Sequence, residues 1–71
     1  MKVRDFIRKT ELNLKDFSSV VINDSLGQID HYPNVEEAIH YEGDADIVNC
    51  WTQLSLFDQK EILYILVDEL V

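Results

Sequence analysis

Residues Glu61–Val67 read EILYILV, and the fold turns on whether this run is a strand or a helix. As a strand it places Ile62, Tyr64 and Leu66 on one face and Leu63, Ile65 and Val67 on the other. As a helix it is capped by Ser55, with Asp58 closing a capping box, and Leu56, Leu63, Val67 and Leu70 line one face. Six successive apolar residues make that helix greasy on every side, so the strand is the better reading.

Upstream, Asp46–Leu54 is also a strand, because Ile47, Asn49 and Trp51 alternate with Val48, Cys50 and Thr52. Leu56, Phe57 and residues 58–60 connect it to the last strand. Ile47, Val48 and Trp51 are expected in the core. Asn34 precedes VEEAIHYE as an N-cap, with Glu37 three residues on, and two carboxylates in the first turn suit the helix dipole. Val35, Ala38 and Ile39 form the apolar side of this short helix, and Gly43 is expected to end it in a left-handed conformation.

Toward the N-terminus, SSVVIN (residues 18–23) holds three consecutive β-branched residues, the clearest strand in the chain. NDSLGQ follows as a turn in which Gly27 can take positive φ. Ile29–Tyr32 returns as a strand, with Ile29 and His31 on one face and Asp30 and Tyr32 on the other, until Pro33 ends it. Val3, Phe6 and Ile7 share one side of a first helix that Leu12 or Leu14 can extend. The predicted order is α-β-β-α-β-β: an α+β fold, one domain over residues 1–71, with short helices covering one face of an antiparallel sheet.

Composition narrows the functional classes. The 46% hydrophobic and 28% charged residues belong to a folding chain. At 71 residues, however, the core leaves little stability margin, so a partner or self-association is a natural support. Net charge is −8 and unevenly spread: residues 1–15 carry five basic and two acidic groups, whereas twelve acids follow from Asp16 onward against Lys60 alone. Such a body repels nucleic acid and anionic membrane and attracts basic surfaces. The basic residues of the first helix solvate it and pair with the acidic body. A single Cys50 forms no internal disulfide, the longest apolar run is far short of a membrane span, and MKVRDFIRKT lacks a signal-peptide core, so the expected location is the cytoplasm.

His31, His40 and Cys50 are of metal-ligand type, but their spacings of nine and ten residues fit no structural zinc pattern, so no metal or cofactor is expected. Both glycines are explained by turns, and Cys50 lies mid-strand in an acidic neighbourhood that disfavours a reactive thiolate. No nucleophile–base pair is legible, and no enzyme is expected. What remains is acidic: Glu36, Glu37, Glu42, Asp44 and Asp46, with Asp24 and Asp30 on the preceding hairpin. Carboxylates at such intervals can imitate the phosphates of DNA before a nucleic-acid-binding protein. The plainer meaning is a solvated face that keeps a small protein soluble.

The layout MKVRDFI, VVIND, SLGQI, DADIVNCW and ILYILV resembles the very small acidic proteins encoded by phages and mobile elements of low-GC Gram-positive bacteria, among them anti-CRISPR and other anti-defence inhibitors. That resemblance implies a protein that occupies the nucleic-acid-binding surface of an effector such as Cas9, and it transfers no site residues. The leading expectation is therefore a non-enzymatic inhibitor acting in the host cytoplasm. It uses Glu36, Glu37, Glu42, Asp44, Asp46 and Asp30 against a basic groove. The alternative is a structural or adaptor module working through an apolar surface, for instance a homodimer using Trp51, Tyr64 or the first helix.

Overall fold

A computed structural model describes residues 1–69; Leu70, invoked in the helical reading of the C-terminal run, lies outside them. The elements are α1 (Val3–Lys9), a 3-10 turn (Leu12–Leu14), β1 (Ser19–Asp24), β2 (Ile29–Tyr32), α2 (Val35–Glu42), β3 (Ile47–Leu54) and β4 (Glu61–Val67). EILYILV is thus a strand. Ser55 and Asp58, which would have capped a helix, instead shape the β3–β4 turn. The Phe57 amide donates to Ser55 Oγ at 3.3 Å, and the Lys60 amide donates to Asp58 Oδ1 at 3.1 Å.

The four strands lie in the order β2-β1-β4-β3. The expected antiparallel sheet is corrected to a mixed one: β1 pairs antiparallel with β2, and β3 with β4, but β1 and β4 run parallel at the centre. The cause is the path of α2, which carries the chain from one edge of the sheet to the other. β4 then turns back from β3 into the middle and meets β1 in the same direction.

Both helices pack on one face of the sheet. Val3 and Ile7 from α1, and Val35 and Ala38 from α2, cover Val20 and Ile22 of β1 and Leu63, Ile65 and Val67 of β4. Burying each large aliphatic side chain stabilises the fold by roughly 1.5–3 kcal/mol before entropy is counted.

The first amides of α1, which no helical carbonyl can reach, donate across the molecule: Val3 to the Ala45 carbonyl at 2.9 Å and Arg4 to the Gly43 carbonyl at 3.0 Å. Asn34 caps α2 as expected, its Oδ1 accepting the Glu37 amide at 2.8 Å. Gly43 departs from expectation, since its φ of −62° is ordinary right-handed backbone. Glycine is needed there for room, because a Cβ would collide with the Ile39 carbonyl oxygen and press on the Arg4 guanidinium. Gly27 does take the positive φ expected of the β1–β2 turn, at 89°. The buried Asp24 carboxylate organises that turn by accepting the Leu26 amide at 3.0 Å and the Gln28 amide at 2.8 Å.

Candidate interaction surfaces

Strand register assigns each side chain to a face. On the face away from the helices, Val21 lies between His31 of β2 and Tyr64 of β4, and Tyr64 in turn lies beside Trp51 of β3. The same alternation adds Ile29, Asn23 and Leu66 toward one end, and Ile62 with Gln53 toward the other. No helix packs over these residues, and none of them is a carboxylate, although the chain carries fourteen. Parallel central strands are usually covered on both faces, yet here β1 and β4 are covered on one. Trp51 and Tyr64 stack with centroids 5.7 Å apart and planes within 2°. Trp51 is 38% exposed and Ile29 56%, so Trp51 is corrected from core to surface. Val48, at a β-bulge between Ile47 and Asn49, is 61% exposed and is likewise not core, while Ile47 is half-buried. The bulge shifts the alternation on which the sequence reading of this strand relied.

The β3–β4 turn presents a second apolar feature. Leu56 is 94% and Phe57 99% exposed. The loop beneath them is tightly hydrogen-bonded, with the Ser55 amide donating to the Lys60 carbonyl at 2.7 Å and Gln59 in a left-handed conformation at φ 61°. The Lys60 amide and the hydroxyls of Ser18 and Ser55 hold the Asp58 carboxyl below its ordinary range. Lys60 Nζ reaches Asp16 at 2.8 Å, which raises the amine.

The acidic residues do not form one surface. Glu42 is 4% exposed, and the Tyr32 hydroxyl donates to its Oε1 at 3.1 Å, so it is removed from the solvent-facing set. Burial, then the Glu42 hydrogen bond and charge, push the Tyr32 phenol up to about 12. Asp44 pairs with Arg4 Nη1 at 2.6 Å and Asp46 with Lys2 Nζ at 3.4 Å. Around these pairs the Ile47 amide donates to the Met1 carbonyl at 2.9 Å, and the Asp68 amide to the Asp46 carbonyl at 3.0 Å. Asp44 and Asp46 thus belong to the joint that ties the N-terminal segment to the sheet, a role invisible to local sequence rules because its partners are some forty residues away. Glu36 and Glu37 are exposed on the first turn of α2 and, among the described residues, form no ion pair; Asp30 is half-buried on β2.

His31 faces the bare side of the sheet and Cys50, two strands away, the helical side. Among the described residues no three His, Cys, Asp or Glu side chains gather as metal ligands. Desolvation raises the half-buried Cys50 thiol, which keeps it protonated. Two surface depressions, one lined by Asn13, Lys15, Asn34, Val35 and Glu36 and the other by Ser25, Leu26, Asp68 and Glu69, are both open to solvent and hold no nucleophile paired with a base. No described helix is long and apolar enough to cross a membrane.

The sequence reading missed Leu56 and Phe57 as exposed anchors. The signal for them was present: two large apolar residues inside a segment whose Ser and Asp favour a turn. No protein-family model, curated protein or solved structure matches the chain.

Proposed function

We propose that this chain is a non-enzymatic protein-interaction module whose contact surface is the bare face of its sheet, centred on Trp51 and Tyr64. The observation that carries the proposal is an aromatic pair, already stacked, on a sheet face without a carboxylate in a chain of net charge −8. Aromatic side chains held in place before binding lose little entropy in the complex and commonly dominate interface energetics. An uncovered apolar face on a small domain is itself a mark of association. The acids surrounding it favour a partner with a basic rim through long-range attraction.

Inhibition of a nucleic-acid-handling effector by acidic mimicry is a second reading, and Glu36 and Glu37, exposed and without an ion pair among the described residues, favour it. Burial of Glu42 and pairing of Asp44 and Asp46 weaken it relative to the first.

Paired affinity capture from a lysate separates the two. A protein retained by the parent chain and by Glu36→Lys/Glu37→Lys but lost by Trp51→Glu supports the bare face. Loss with the charge-reversed variant and retention by Trp51→Glu supports mimicry instead.

A further inference from the structure

The two edges of the sheet are not equally protected. β2, at one edge, is four residues long, carries Asp30 and is followed by Pro33, all features that discourage strand addition. β3, at the other, spans eight residues, IVNCWTQL, with neither a charge nor a proline.

Part of the β3 edge is already occupied. The Ile47 amide donates to the Met1 carbonyl at 2.9 Å, and Lys2 bridges Asp46, so the N-terminal residues cover its beginning. In an antiparallel ladder, successive residues direct their amides alternately toward and away from the partner strand. Ser55 donates toward β4, to the Lys60 carbonyl at 2.7 Å, whereas the Cys50 amide is held by its neighbour Asn49 Oδ1 at 2.8 Å. The alternation therefore directs the backbone groups of Thr52 and Leu54 outward.

We propose that the β3 edge pairs with the β3 edge of a second copy, antiparallel about a two-fold axis at Thr52, to make one continuous eight-stranded sheet. Thr52 then faces itself, and Cys50 of each copy faces Leu54 of the other. The register is self-complementary, as a two-fold interface requires, and it sets a threonine against a threonine, a favourable cross-strand pair. A second copy fits this edge because the strand offers it an uncharged, self-pairing ladder, so two chains of net charge −8 can meet there with no carboxylate on either paired strand. The inference does not rest on the bare-face reading, since a monomer still displays Trp51 and Tyr64, and a dimer joined at the edge leaves that face open.

Sedimentation of the full chain across a dilution series tests it, together with amide hydrogen exchange. The expected result is a species of twice 8.3 kDa that dissociates on dilution, with exchange at Thr52 and Leu54 slowing as concentration rises. Thr52→Pro removes an outward amide from each copy without touching the β4 ladder and should weaken the dimer about tenfold or more. Thr52→Lys sets like charges together at the axis and keeps the test intact should the proline variant misfold. A monomer at every concentration overturns the proposal. So does a dimer that survives Thr52→Lys but is lost with Trp51→Glu, which would place the contact on the sheet face.

Discussion

Trp51 and Tyr64, partners on neighbouring antiparallel strands, stack within 2° of parallel on the side of the sheet that no helix covers. Their strands face two environments. Leu63, Ile65 and Val67 of β4 are wholly buried under the helices, while Ile62, Tyr64 and Leu66 point the other way and stay partly exposed. The six-residue apolar run that identified a strand therefore serves two surfaces, a core and a contact face.

That division predicts unequal costs of truncation. Trp51→Ala should lower stability by about 1 kcal/mol through loss of the stack, against about 2–5 kcal/mol for Leu63→Ala in the buried row. Urea denaturation of the two variants checks the order. A Trp51 variant as damaged as the Leu63 variant would mean that the indole supports the core.

Gly43→Ala should destabilise the protein by about 1–3 kcal/mol, as overpacking does. Alanine at a right-handed helical φ ordinarily gains stability over glycine. Here the added methyl meets the Ile39 carbonyl and the Arg4 side chain that binds Asp44. A raised melting temperature in this variant would contradict the account of the joint between α1 and α2.

Alkaline stability should report Tyr32. In the unfolded chain its phenol ionises near 10, whereas in the fold it keeps its proton up to about 12. Between those values the unfolded state binds fewer protons, so the contribution of Tyr32 is intact below pH 10 and is lost as pH rises toward 12. Urea midpoints of the parent chain should fall across that window more steeply than those of Tyr32→Phe. Equal slopes would show that burial and the hydrogen bond to Glu42 together do not hold the phenol's proton.

Charge reversal should separate the acids of the N-terminal joint from those on the first turn of α2. Asp44→Lys/Asp46→Lys replaces two ion pairs by like-charge contacts with Arg4 and Lys2, and its expected effect is lower stability, by about 1 kcal/mol given the exposure of both pairs. Glu36→Lys/Glu37→Lys lies at a helix N-terminus, and its cost comes from the helix dipole, again about 0.3–1 kcal/mol for each residue. Raising the salt concentration should diminish both costs. A loss of binding in the first variant is uninterpretable without its melting curve, whereas the second tests mimicry with the joint intact.

The sequence disclosed both α-helices and all four strands because each is governed by local chemistry, such as β-branched runs, an asparagine cap and a proline stop, whereas the 3-10 turn at Leu12–Leu14 was not read. The parallel pairing of β1 with β4 was hidden, since it depends on where α2 carries the chain and no local pattern encodes that. Among the candidate residues, Asp44 and Asp46 looked unassigned because Arg4 and Lys2 lie at the far end of the sequence. Glu42 looked exposed because nothing near it in sequence announces Tyr32 as a partner across the α2–β2 contact. Trp51 looked like core because large aromatics usually are, and only the count of covering helices against sheet faces could have suggested otherwise.

The most direct test is amide and indole chemical-shift mapping of the isotope-labelled chain, titrated with the protein that the parent chain captures and the Trp51→Glu variant does not. The account predicts the largest perturbations at the Trp51 indole and at Tyr64, Val21, His31 and Ile62, with Glu36 and Glu37 little changed. Perturbations confined to Glu36, Glu37 and the first turn of α2, with the Trp51 indole unmoved, would contradict it.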